Sequence, residues 1–100
     1  MILGVINIGT NSTKALFAQT QASSWQELSR DLEITGLGEG LVKKGLLSPQ
    51  AMTHTEEAVA KLAAKGDCLG AERIWVAGTA ALRQATNSWK FQERLAERGL

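Results

Sequence analysis

One hundred residues suffice for one small domain, or part of a larger one, with a single core. Hydrophobic residues at 44% against 21% charged describe a chain that folds rather than a disordered one. A net charge of +1 with no block of like charge gives no field for nucleic acid or an anionic membrane, so any anion site must be local. The single Cys68 excludes an internal disulfide and a cysteine-built zinc site, which points to a reducing, cytoplasmic setting. No run reaches the length of a membrane helix, and the apolar N-terminus lacks the cationic leader of a signal peptide.

Ile2, Leu3, Val5, Ile6 and Ile8 form an apolar, β-branched run that reads as a strand covered on both faces. Gly9-Thr10-Asn11-Ser12-Thr13-Lys14 then interrupts it with small residues, hydroxyls, an amide and a cation, and Ala15-Leu16-Phe17-Ala18 resumes at once. The polar segment is therefore a tight turn between two strands. Such a turn can hold a phosphate: Gly9 admits close approach, amides and hydroxyls at Thr10, Asn11 and Ser12 can meet oxygens, and Lys14 adds charge. A plain hairpin with a polar tip fits the same residues equally well.

Gln19–Ser24 is turn-like, and Trp25–Thr35 alternates. Leu28, Leu32 and Ile34 point one way, and Glu27, Ser29, Asp31, Glu33 and Thr35 the other, the pattern of a strand with one solvated face. Gly36-Leu37-Gly38-Glu39-Gly40 lacks the spacing of a dinucleotide loop and reads first as a flexible connection; in a second reading Lys43 or Lys44 lies beside an anion. Ser48-Pro49 starts a helix running to about Lys65 and ended by Gly66, with Met52, Thr55, Val59 and Leu62 inward. Glu56, Glu57, Lys61 and Lys65 should face water, with Glu57 and Lys61 a favourable pair four residues apart, and His54 an exposed helix residue.

Arg73–Gly78 gives a fourth strand, parallel to the first because a helix intervenes. Ser88–Arg98 is a second helix capped by Ser88 or Asn87, with Trp89, Phe91, Leu95 and Ala96 on its buried side. Core packing is the favoured place for Trp75, Trp89 and Phe91, over exposure at an open seam. The order is βββαβα. Ligands gather at the carboxyl ends of parallel strands, so the Gly9 turn and the turn carrying Thr79 and Arg83 should face one cleft.

Three segments carry a resemblance: Ile8-Gly9-Thr10-Asn11-Ser12; Glu33-Ile34-Thr35-Gly36-Leu37-Gly38-Glu39-Gly40 before Leu47-Ser48-Pro49; and Gly78-Thr79-Ala80-Ala81-Leu82-Arg83-Gln84-Ala85-Thr86-Asn87. In order and separation they resemble the start of the exopolyphosphatase and guanosine pentaphosphate phosphohydrolase family, of the actin-like ATPase superfamily. The resemblance implies an α/β, ribonuclease H-like half-domain with an incomplete mixed sheet, whose open edge could serve self-association. It implies a hydrolase of inorganic polyphosphate or guanosine pentaphosphate, with Gly9, Thr10, Asn11 and Ser12 as the first phosphate loop. Arg83 is then the cation gripping the substrate phosphate, with Lys14 and Thr79 in support. It also implies Mg2+, held at position 7, where the family has aspartate and this chain has Asn7, so weaker metal binding is expected. Lys14 replaces a common arginine, and Ala80 a hydroxyl residue. The family's catalytic glutamate is expected beyond Leu100, leaving this portion unable to catalyse alone. A small non-catalytic phosphate- or polyphosphate-binding module, and part of a sugar or acyl kinase of the same superfamily, are the alternatives.

Overall fold

The computed structural model describes residues 1–38, 45–78 and 85–100. Among these, strands β1 (Ile2–Ile8), β2 (Ser12–Gln21) and β3 (Ser24–Ile34) precede helix α1 (Pro49–Leu69), strand β4 (Arg73–Gly78) and helix α2 (Ser88–Glu97). The order expected from the sequence is thus the order observed. The strands form one mixed sheet in the order β3-β2-β1-β4, with β1–β2 and β2–β3 antiparallel and β1–β4 parallel. The crossover through α1 accounts for the parallel pair, since a helix carries the chain back to the end where β1 began.

The polar turn after β1 is shorter than the sequence indicates. Ser12, Thr13 and Lys14 already belong to β2, which continues to Gln21, so only the Ala22-Ser23 step separates it from β3. Residues paired across strands share a face. The pairs Gly4↔Phe17, Ile6↔Ala15 and Ile8↔Thr13, with Ile6↔Val76 and Gly4↔Ile74, therefore define the face that α1 covers. Ile6, Ile8, Ala15 and Phe17 on that face pack with Val59 and Leu62 of α1 and with Phe91 and Leu95 of α2 in one core. A fully buried side chain of this size contributes about 1.5–3 kcal/mol.

Strand β3 departs from expectation in its orientation. Its register, Thr13↔Glu33, Ala15↔Asp31 and Phe17↔Ser29, turns the polar residues toward the helix side. There Glu33 Oε1 meets Lys61 Nζ at 2.8 Å and Asp31 Oδ2 meets Lys65 Nζ at 2.7 Å. Lys61 is thus engaged by β3 rather than by Glu57. Leu32 and Ile34 are left 53% and 69% exposed on the opposite face, beside Val5 and Trp75, with Lys14, Arg30 and Arg73 among them. Leu28 sits where the β2–β3 register shifts. The apolar side of this strand thus faces outward, and no described residue covers it.

Helix α1 starts where Ser48-Pro49 indicates: the Ser48 hydroxyl accepts a bond from the Ala51 amide at 3.0 Å, and Pro49 takes the first helical position. It does not end at Gly66. The helix runs on to Leu69 and is closed by Gly70 at φ 85°, whose amide bonds the Asp67 carbonyl while the Ala71 amide reaches back to Gly66. Gly66 is an interior contact point: a Cβ there would lie 2.5 Å from Phe17 Cε1 and 2.7 Å from Ile74 Cδ1. Phe17 is wedged between Gly66 and its strand partner Gly4, where a Cβ would also overlap the ring.

Further expectations are corrected around α2. Glu56 is 8% exposed rather than solvated, because Arg94 of α2 and Arg98 at its C-terminal cap reach its oxygens at 2.8 and 2.7 Å. Asn87 occupies the N-cap position of α2 but makes no cap bond. Its side chain instead clamps Leu47, accepting from the amide at 2.8 Å and donating to the carbonyl at 3.0 Å. Phe91 and Leu95 are buried as expected, whereas Trp89 is 59% exposed, and Trp75 and Ala96 are exposed too. Ten residues of helix show one core-facing stripe, and Trp89 and Ala96 fall outside it.

Candidate phosphate-binding site

The site is built at the carboxyl end of β1. The chain leaves the sheet at Gly9, turns at Thr10 and Asn11, and re-enters it at Ser12. The register Ile8↔Gly78 sets the end of β4 directly beside the end of β1, so the connections after Ile8 and after Gly78 leave from one end of the sheet. Thr79 and Arg83 lie outside the described residues, as do Ala80, Lys43 and Lys44.

What makes the turn unusual is the use of its carbonyls. Ser12 carbonyl accepts from the Gly9 amide at 2.9 Å. Asn11 carbonyl accepts from both Thr35 and Gly36 amides, at 3.1 and 3.0 Å, and Thr10 carbonyl from the Gly38 amide at 2.9 Å. Three successive negative ends of peptide dipoles are thereby occupied. No peptide in the described chain is cis, so each carbonyl is opposed across its own peptide plane by the next amide. The Asn11 and Ser12 N–H groups consequently point away from residues 35–38. Among the described residues the amides of Thr10 and Asn11 and the hydroxyls of Thr10 and Ser12 have no hydrogen-bond partner. The free groups at the turn thus include two backbone amides and two hydroxyls, while the carbonyls of Thr10, Asn11 and Ser12, which would repel an anion, are consumed. Thr10 and Asn11 are exposed, so a ligand can reach them.

The brace that consumes the Thr10 and Asn11 carbonyls is the segment after β3, which the sequence reads first as a flexible connection. In its described part, Thr35 and Leu37 are buried, and the Thr35 hydroxyl shares a buried hydrogen bond of 3.1 Å with that of Thr13. Gly36 turns at φ 62°, a conformation that favours glycine. Gly9 itself is not in the left-handed region, so its backbone conformation does not demand glycine. The sequence offered a signal for the brace in Gly36 and Gly38, but their partners, Asn11 and Thr10, are 25 and 28 positions away and cannot be inferred from local pattern.

Asn7 and Lys14 are cross-strand partners on the outer face, both exposed. Position 7 offers one neutral amide oxygen next to an ammonium, and among the described residues no three carboxylate, histidine or cysteine side chains converge. A hard dication prefers carboxylate oxygens. This donor set does not fit a resident Mg2+. His54 is exposed on α1, as the sequence indicated.

The sequence pattern of the Ppx/GppA phosphatase family matches residues 16–99. A Haemophilus influenzae protein assigned as an exopolyphosphatase is 30% identical over 95 residues, which make up 95% of this chain and 29% of that protein. The guanosine-5'-triphosphate,3'-diphosphate pyrophosphatase of Photobacterium profundum is 31% identical over 87 residues, 87% of this chain and 18% of that enzyme. The crystal structure of an Aquifex aeolicus Ppx/GppA family member superposes with a TM-score of 0.95 at 27% identity, over 100% of this chain and 33% of that one. The chain therefore spans less than a third of the curated relatives it matches. No helix among the described residues is long and apolar enough to cross a membrane.

Proposed function

This chain belongs to the Ppx/GppA phosphatase family, and from that premise we propose that it supplies the part of a phosphoanhydride hydrolase that grips the condensed phosphate, with inorganic polyphosphate or guanosine pentaphosphate as the ligand. The observation that carries this reading is the turn at Gly9–Ser12, whose Thr10, Asn11 and Ser12 carbonyls are all occupied while the donors at its tip are free. A phosphate oxygen presented to Thr10, Asn11 and Ser12 meets amides and hydroxyls and no bare backbone carbonyl of these three residues. Arg83, which follows β4 in the chain, supplies the permanent charge, its planar fork suited to two phosphate oxygens at once. Thr79 adds a hydroxyl, and Lys14 adds charge from the neighbouring strand position.

The assignment is to binding and orientation. In hydrolysis of a phosphoanhydride a water attacks the phosphoryl group in line, and positioning and charge stabilisation dominate the rate. Neither the turn 9–12 nor the brace 35–38 contains a carboxylate to activate that water. Because position 7 does not suit a dication, phosphate binding to this chain should not require magnesium.

Calorimetric titration of the chain with tripolyphosphate, guanosine pentaphosphate and orthophosphate tests the proposal. One saturable site for a condensed phosphate is expected, weakened about tenfold by Ser12→Ala or by Arg83→Ala, the usual consequence of losing a hydrogen bond to a charged group. No binding, or binding indifferent to both substitutions, would overturn it. The two condensed phosphates compared side by side decide which is preferred.

A further inference from the structure

The turn is held from behind by more than hydrogen bonds. Gly38 lies against the Thr10 side chain: a Cβ at Gly38 would overlap Thr10 Cγ2 and stand 3.4 Å from both Thr10 Cβ and the Thr10 carbonyl oxygen. The Gly38 amide meanwhile bonds that same carbonyl at 2.9 Å. Gly38 does not need glycine for its backbone, since its φ lies outside the left-handed region. What the missing side chain provides is a seat for the Thr10 methyl. Threonine has three staggered positions at Cβ, and its methyl and hydroxyl occupy two of them. A methyl seated on Gly38 fixes χ1 and so fixes where the hydroxyl stands. That hydroxyl has no hydrogen-bond partner among the described residues.

We propose that Gly38 is a positioning residue for the phosphate turn, its bare Cα seating the Thr10 methyl so that the Thr10 hydroxyl is aimed at a ligand oxygen before the ligand arrives. The inference rests on the phosphate-binding reading above for its consequence, but not for its geometry. Without a seat the methyl and hydroxyl exchange places, and ligand binding must select the productive rotamer. With the seat that selection is already made.

A double-substitution cycle on the 100-residue chain tests this, with tripolyphosphate as the probe. Gly38→Ala should weaken binding about tenfold in the parent chain. In the Thr10→Ser background, which removes the methyl and keeps the hydroxyl, the same Gly38→Ala substitution should change affinity less than about twofold, because the clash is gone. An equal loss in both backgrounds would mean that the added methyl disturbs the backbone brace, and would overturn the proposal. So would no loss in either. The second readout needs no ligand: three-bond couplings to the Thr10 methyl carbon report χ1 in the free protein. A single rotamer is expected in the parent and a changed or averaged one in Gly38→Ala, with amide shifts beyond residues 9–12 and 35–38 retained. An averaged χ1 in the parent would refute the positioning role. A parent with a fixed χ1 that fails to bind tripolyphosphate would instead refute the phosphate reading, so the two failures are distinguishable.

Discussion

Gly66→Ala is a test of sign. In an exposed helix interior, replacing glycine by alanine gains about 1 kcal/mol. At Gly66 the new methyl would lie 2.5 and 2.9 Å from two ring atoms of Phe17 and 2.7 Å from Ile74 Cδ1. Phe17 is fully buried and cannot retreat, because Gly4 gives it the same close seat on the other side. Overpacking of this kind costs about 1–3 kcal/mol, and a trapped aromatic ring places the cost near the upper end. The net expectation is a loss of about 2 kcal/mol, or about 8–16 °C in Tm for a domain of this size. Thermal unfolding followed by circular dichroism measures it, with Ala64→Gly on the exposed side of α1 isolating propensity as a loss of about 1 kcal/mol. An unchanged or raised Tm for Gly66→Ala would show that the helix and sheet do not approach as closely as described, and would return Gly66 to the helix-ending role that the sequence suggested.

Asn87→Ala removes both partners of the buried Leu47 amide and carbonyl. A loss of about 2–3 kcal/mol is expected in urea denaturation, since two part-buried backbone groups lose their bonds. The Asp31 carboxyl is held below its ordinary value first by its hydrogen bond to Lys65, against an opposing desolvation effect. Its contribution to stability is therefore present above the unfolded carboxylate value of about 3.9 and is lost as pH falls through the lower folded value. Denaturation curves between about pH 5 and pH 2 should accordingly fall less steeply for Asp31→Asn than for the parent chain. Asn7→Asp should make tripolyphosphate binding magnesium-dependent where the parent is expected to show no such dependence, because it places a carboxylate where the parent has a neutral amide oxygen near the turn; titrations with magnesium and with chelator compare the two.

Much of the architecture is readable from local pattern because each signal was strong and short-range: the apolar run at Ile2–Ile8, the Ser48-Pro49 start and the helix that forces β4 parallel to β1. What escaped reading depended on distant partners. The apolar residues of β3 imply a covered face, but its register with β2 turns Asp31 and Glu33 toward lysines that stand 34 and 28 positions away on α1. Gly66 looks like a stop because glycine weakens helices, and only the Phe17 ring, 49 positions earlier, explains its place inside one. Glu56 looks solvated until Arg94 and Arg98 are brought to it. The candidate site divides the same way. The donors of the turn are legible in Gly9-Thr10-Asn11-Ser12, whereas the occupation of its Thr10 and Asn11 carbonyls, which shapes what the turn can bind, comes from Thr35, Gly36 and Gly38.

The most direct measurement is a residue-resolved titration: amide spectra of the 15N-labelled chain recorded as tripolyphosphate is added, with sodium sulfate at matched ionic strength as the reference. Saturable shifts centred on the Thr10, Asn11 and Ser12 amides, absent with sulfate, are expected. Shifts confined to the lysines and arginines of the outer sheet face, or equal responses to both salts, would contradict a built phosphate turn.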